Sequence, residues 1–387
     1  MKTGIKLLIS MCFVTGMTVH VYGIPAFARR YKISCSTCHA PFPKLKEYGE
    51  DFAGAGMILK EEEKDRDYIS AGDDLLWLNR DFPVGVRFEA YGLYDQDSDA
   101  ETDLQSPWGL KLLSGGTLYK NIGYYFYFYM SERGKVAGIE DAYIHFDNIF
   151  GSNLDVMIGQ FQTSDPLMKR ELRLTFEDYM IYKRKPGKSN TNLTYDRGVM
   201  LVYGIDRTGT ELVGQIVNGN GKDEAGDDHI FDQDNGKNLG FRMIQDIFGL
   251  FSVGGYVYTG TETDTSSGFE NEVVYWGPDF NISIGPVEMT AQYLERKDSD
   301  VHFNQGSEIK TAGTILETVY APRLDKSRYY ITALYNHIDS DLKSLKYETI
   351  TISTTFLMAR NLRLTAEYTR DRLNDKNRFV LGLVSGF

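Results

Sequence analysis

From about Pro83 onward, apolar and polar residues alternate in short runs along the chain. Val84-Gly85-Val86-Arg87-Phe88-Glu89-Ala90-Tyr91 is one, Asn361-Leu362-Arg363-Leu364-Thr365-Ala366-Glu367-Tyr368 another, and Val199-Met200-Leu201-Val202-Tyr203 a looser one. Successive strand residues face opposite sides of a sheet, so each run predicts a strand with one apolar and one wet face. A soluble sandwich gives the same alternation, and the links separate the two readings. About sixteen such segments are joined by links that alternate short and long, as in a transmembrane barrel with its termini on the short-turn side. Short links are Lys120-Asn121, Asp206-Arg207-Thr208, Phe248-Gly249 and Met358-Ala359-Arg360-Asn361. Long ones run from Asp95 to Ser106, Asn218 to Lys237, Thr261 to Phe269 and Lys297 to Lys310. The chain ends on Phe387, with Leu383, Leu381 and Phe379 at alternate positions before it, as expected of a barrel's last strand. The expected fold is therefore mainly β: an antiparallel transmembrane β-barrel of about 16 strands over residues 83–387.

One link breaks the pattern. More than thirty residues separate Gly159-Gln160-Phe161 from Tyr195-Asp196-Arg197-Gly198, among them the basic Lys169-Arg170 and Lys183-Arg184-Lys185. Loops of that length are usually functional, and this one is expected to fold inward and constrict the lumen.

The N-terminal pattern differs. Between Pro41 and Phe52 the apolar Phe42, Leu45 and Phe52 recur at helical spacing, with Tyr48 and Gly49 between them. This stripe follows Cys35-Ser36-Thr37-Cys38-His39, a C-x-x-C-H sequence, the attachment signature of a c-type haem. Two thiols at that spacing form thioethers with the two vinyl groups of one porphyrin, and His39 reaches the iron as proximal ligand. Zinc would need a second ligand pair, and none precedes residue 145. A thioredoxin-type redox pair would need a βαβ context, which is missing.

Residues 1–23 read as a secretory signal: Lys2 and Lys6 in a basic start, an apolar core from Leu7 to Val14, and Val21-Tyr22-Gly23 as cleavage site. The apolar run is too short to span a bilayer. Cys12 lies inside it, so the exported chain keeps two cysteines, Cys35 and Cys38, both assigned to one covalent haem c. Residues 24–75 then form a small haem segment, too short to bury a core of its own and expected to plug the barrel lumen. The run Lys60 to Asp67 reads as a solvated linker. A net charge of −12 speaks against nucleic acid and anionic ligands and favours cationic ones.

Two resemblances follow from these stretches. Gly159-Gln160-Phe161-Gln162-Thr163 through Phe176-Glu177, then Asp196-Arg197-Gly198, is similar to the phosphate-selective O/P-type porins. Ile24-Pro25-Ala26-Phe27-Ala28-Arg29, then the haem motif, then Pro43-Lys44-Leu45 and Tyr48-Gly49-Glu50-Asp51-Phe52, resembles the fused monohaem cytochrome–porins of the outer membranes of iron oxidisers. The second resemblance implies a haem plug in a barrel that passes electrons between an extracellular donor, Fe(II) above all, and a periplasmic c-type cytochrome. The acidic stretch Asp95, Asp97, Asp99, Glu101 and Asp103 would concentrate such a cation. An outward-running conduit, or a solute porin with a structural or regulatory haem, are the other readings. A peroxidase would need a distal acid or base, and none stands out near residue 39.

The sixth iron ligand is expected to be Met57, in Gly54-Ala55-Gly56-Met57, where the glycines let the backbone curl back. Thioether ligation would raise the potential, as suits an acceptor of electrons from Fe(II). The rival is His145, which in Ile144-His145-Phe146 points opposite its apolar neighbours and hence into the lumen.

Overall fold

The computed structural model describes residues 26–59 and 82–387, apart from 233, 235 and 305. The expected signal peptide, Ile24-Pro25 and the Lys60–Asp67 run lie outside these residues. Sixteen strands follow one another. The first eight are β1 (Val84–Asp95), β2 (Thr102–Tyr119), β3 (Ile122–Glu132), β4 (Gly138–Phe146), β5 (Leu154–Gln162), β6 (Tyr195–Ile205), β7 (Thr210–Val217) and β8 (Asn238–Ile247). The rest are β9 (Phe251–Thr263), β10 (Glu270–Ile284), β11 (Val287–Asp298), β12 (Ile309–Tyr320), β13 (Tyr329–Ser340), β14 (Tyr347–Ala359), β15 (Leu362–Asp371) and β16 (Lys376–Gly386). Each pairs antiparallel with its neighbours, and β1 closes on β16 through Arg87↔Gly386 to Asp95↔Arg378. Past that register Val86 and Phe387 exchange backbone hydrogen bonds of 2.5 and 2.8 Å, so the terminal residue completes the closure. A closed sheet leaves no strand edge unpaired.

The alternation seen in the sequence is inverted relative to a soluble protein. Along β14 Thr349, Thr351, Ser353 and Thr355 are buried, with Leu357 beyond them, while Ile350 and Ile352 between them are exposed. On β8, Asn238 and Arg242 turn inward and Leu239, Phe241 and Met243 outward. An apolar skin around a polar interior suits lipid on the outside and water or polar filling within.

Turns at one end are short, such as 120–121, 248–250, 285–286 and 360–361; those at the other reach twenty residues over 218–237 and longer over 163–194. One expected long link is corrected. Asp95 to Ser106 is half strand, because β1 runs to Asp95 and β2 begins at Thr102, which pairs with Tyr94. β2 runs on past β3, while β1 stays paired with β16 as far as Asp95, and the link itself is residues 96–101 only.

The N-terminal segment holds three short helices: α1 (Ala26–Tyr31), α2 (Cys35–Cys38) and α3 (Glu47–Gly54). Here too the expectation is corrected, since the helix read from Pro41 onward begins only at Glu47. Pro41 and Pro43 keep the residues before them out of helical backbone, and the chain stays in turns until Lys46. Even so, Phe42, Leu45 and Phe52 border a common space, from turns and helix together.

This segment lies inside the barrel at the short-turn end. Lys46 pairs with Asp325 in the β12–β13 turn at 2.7 Å, and Lys44 reaches Glu288 of β11 at 2.9 Å and Glu317 of β12 at 3.7 Å. Burial disfavours the Lys44 charge, but the two carboxylates overcome this and hold its pKa above the usual lysine range. On the opposite wall the Gly56 carbonyl abuts Gly123 of β3, so closely that a methyl group there would come within 2.3 Å of it.

Candidate haem cavity

Within the N-terminal segment, α2 is a single turn that sets Cys35 and Cys38 on one side. Ser34 caps it, its hydroxyl accepting from the Ser36 N–H at 3.3 Å. α3 crosses against its end so tightly that a Cβ at Gly49 would stand 2.3 Å from the Cys38 carbonyl oxygen. Only glycine fits there. Phe52 of α3 packs edge-on against Phe27 at 5.2 Å and Tyr31 at 5.8 Å, closing a small apolar cluster with Met57.

His39 leaves α2 with its ring fixed. Its Nδ1 lies 3.0 Å from the Pro43 carbonyl, which as an acceptor fixes the proton on Nδ1 and leaves the Nε2 lone pair free. Burial lowers its pKa to about 4, so the imidazole is neutral near pH 7. Burial likewise pushes both thiols above their usual range.

These groups meet at one cavity. A cavity of about 210 Å³, open to solvent, lies between the segment and the barrel wall. Cys35, Cys38, His39 and Met57 all border it, with Phe27, Leu45 and Phe52 beside them. The barrel contributes Arg87 from β1, Lys111 and Leu113 from β2, and Tyr125 and Tyr127 from β3. The long β5–β6 loop closes it with Lys169, Glu171 and Leu172. Two thiols, a neutral imidazole with a free nitrogen and a largely apolar hollow are a donor set that fits a c-type haem. Among the described residues no group of three or more His, Cys, Asp or Glu is gathered as a metal ion would need, so the Cys pair lacks a zinc-type partner set.

The two expected sixth ligands part here. Gly56 and Met57 both take left-handed backbone, with φ of 68° and 63°, and this curl returns the Met57 side chain to the cavity. Tyr31 secures the turn, its hydroxyl donating to the Met57 carbonyl at 3.4 Å. His145 does point into the lumen and is buried, as read from the alternation. It packs behind Gly56, however, and does not border the cavity.

Sequence reading missed the charged wall. Lys111 pairs with Glu171, Arg87 with Glu89 at 2.5 Å, and Lys169 with Asp165 at 2.8 Å and Asp141 at 3.2 Å. Burial opposes ionisation of Glu171, but Lys111, Arg173 and Arg87 hold its pKa well below the usual range. The inward alternation around Arg87 was the available signal; nothing local said that loop and plug would share this wall.

At the long-loop end, Asp97, Asp99, Glu101 and Asp103 are exposed, and Asp97 pairs with Lys376. A second cavity there is bordered by Asp223, Glu224, Asp232, Asp234, Glu262 and Asp264. The expected constriction also forms: the 163–194 loop runs through the lumen, its Phe176 and Glu177 N–H groups donating to Glu367 at 2.7 and 2.9 Å.

No protein-family model matches the chain, and no curated protein matches it. Solved structures do. A loop-deletion form of the outer-membrane protein OmpT of Vibrio cholerae is similar over 79% of this chain and 99% of its own, with 13% identity and a TM-score of 0.58. The anion-selective porin of Comamonas acidovorans gives the same coverages and TM-score at 11% identity. The outer-membrane channel DcaP of Acinetobacter baumannii covers 79% and 97%, at 15% identity and a TM-score of 0.52. The shared portion equals residues 82–387 in length, and the likeness establishes the barrel as the porin fold.

Proposed function

We propose that this chain is an outer-membrane electron conduit, in which one haem c on Cys35 and Cys38, ligated by His39 and Met57, relays electrons through the barrel. The observation that carries this reading is the shared cavity, since C-x-x-C-H and Met57 border one space inside a porin-type lumen. The apolar skin supports insertion in a bilayer, whose core of about 30 Å separates an extracellular donor from a periplasmic carrier. The carboxylates of the long-loop end favour a cationic donor, and Fe(II) has that character. When bound, the haem supplies a one-electron couple. Cys35 and Cys38 would hold it covalently, His39 and Met57 would ligate the iron, and thioether ligation by Met57 would raise its potential. A periplasmic c-type cytochrome is the partner on the short-turn side. The test is the purified protein in liposomes with a redox dye inside and Fe(II) outside. The dye is expected to be reduced with the wild type and not with Cys35→Ala/Cys38→Ala; equal rates would refute the conduit.

A second reading, a porin for small solutes with a structural haem, is favoured by the solved neighbours, which are porins and channels. Planar-bilayer conductance separates the two. Steady ion conductance supports the porin, and its lack together with dye reduction supports the conduit.

A further inference from the structure

Arg363 of β15 is 4% exposed, and its Nε and one terminal nitrogen are buried without any hydrogen-bond partner. Among the described residues it forms no ion pair. The charged groups acting on it are Arg87 and Glu89 of β1 and Arg173 of the inward loop, with the Tyr91 hydroxyl beside them. Arg87 has a buried Nε that is also unpartnered, although its other nitrogens reach Glu89 and the Glu171 carbonyl.

The surrounding network does not balance. Arg87, Lys111, Lys169, Arg170, Arg173, Lys183 and Arg363 stand with Glu89, Asp141, Asp165, Glu171 and Asp178, seven cations against five carboxylates. A buried guanidinium with no acceptor is costly, and a carboxylate offering two oxygens in the plane of its fork is the group that relieves it best. Arg87 borders the cavity, and Arg363 lies outside that lining, in the field of Arg87. The Arg87 guanidinium sits 5.7 Å from the Phe42 ring centre, and that ring stands 5.3 Å from the His39 imidazole. Cys35 likewise lies in the field of Arg360, three residues before Arg363.

We propose that Arg363 and Arg87 form a carboxylate-binding site on the inner wall of β15 and β1, and that its ligand is the propionate edge of the haem. The assignment rests on the conduit reading above for its haem. Two propionates would even the seven-to-five imbalance and fix which edge of the porphyrin meets the barrel. A free oxyanion such as phosphate has the same recognition chemistry, and the experiment distinguishes the two sources.

The test uses full-length protein in detergent as wild type, Arg363→Gln and Arg363→Lys, each checked for heat-modifiable mobility and for haem staining. Losing the guanidinium leaves a propionate uncompensated, which favours ferric iron. Arg363→Gln is expected to shift the ferric/ferrous equilibrium at least tenfold toward ferric, which is 59 mV of midpoint potential for one electron. Arg363→Lys, which keeps the charge, should shift it less, and inorganic phosphate should leave all three unchanged. If instead phosphate raises the unfolding temperature of the wild type but not of Arg363→Gln, with equal potentials, the site stands and the free oxyanion is its ligand. Equal potentials and equal phosphate response in wild type and Arg363→Gln would overturn the proposal. Unstained wild type would defeat the haem reading, leaving the phosphate arm to judge the site.

Discussion

Two segments enter the same lumen and fill it in different ways. The 163–194 loop packs tightly at its apolar residues: Ile181, Tyr182 and Leu193 are essentially fully buried against Tyr258 and Tyr275 and against Leu294, Ile315 and Leu334 of the wall. The N-terminal segment instead leans on the wall through ion pairs at its edges and a few close backbone contacts, and leaves a hollow beside its thiols. Close packing is the ordinary state of a protein interior, so a hollow of that size is the feature needing an explanation. The loop is a packed filling that also lends Lys169 and Glu171 to the cavity wall. The segment is shaped as a holder.

That contrast is open to attack, most severely through the thiols. Cys35→Ala/Cys38→Ala is expected to abolish the haem-stained band on a denaturing gel while the barrel keeps its heat-modifiable mobility. Haem that acid acetone extracts from the wild type would mean that no thioether forms. Next in size is Arg296→Met. Arg296 is 1% exposed, holds Asp298 at 2.6 Å and donates to the Thr191 and Arg184 carbonyls at 2.7 and 3.2 Å. Its loss strands Asp298 and should cost about 3–5 kcal/mol. Limited proteolysis should then cut between residues 184 and 191, and an unchanged digest would show that the loop does not depend on this clamp. Gly49→Ala should cost the haem segment alone about 1–3 kcal/mol, by forcing α3 away from the Cys38 carbonyl. Reduced haem yield with an unaltered barrel is the expected result; equal yield would show that the helices shift freely. Smallest in stability is Met57→Ala, expected to remove the far-red band of a ferric Met-ligated haem that His145→Ala retains. The opposite pattern would transfer the ligand to His145.

The barrel was legible because its code is local. Strand alternation, link length and the terminal Phe387 each report on a few neighbouring residues, and together they led to sixteen strands and an inward loop. The haem motif was legible for the same reason. The helix start was misread because periodicity was weighed above Pro41 and Pro43, which bar a helix whatever the spacing of Phe42 and Leu45. What stayed hidden was long-range. Lys44 meets Glu288 and Glu317, and Arg87 meets Glu171, only after closure, and no spacing in the chain announces such partners. His145 illustrates the limit: its inward direction was readable, its distance from the cavity was not.

The closing seam, where Val86 and Phe387 bond across the barrel, joins the first strand to the last. The haem segment precedes the first strand and ends up inside the ring, beneath Gly386 of the last, where Phe42 rests. A porphyrin is far wider than any gap in a hydrogen-bonded sheet, so it cannot pass through the wall once the seam has formed. Under the proposed reading the cofactor therefore arrives before closure or through the solvent-facing mouth of the cavity. Closure of the seam narrows the routes to the two thiols to one, the mouth of the cavity.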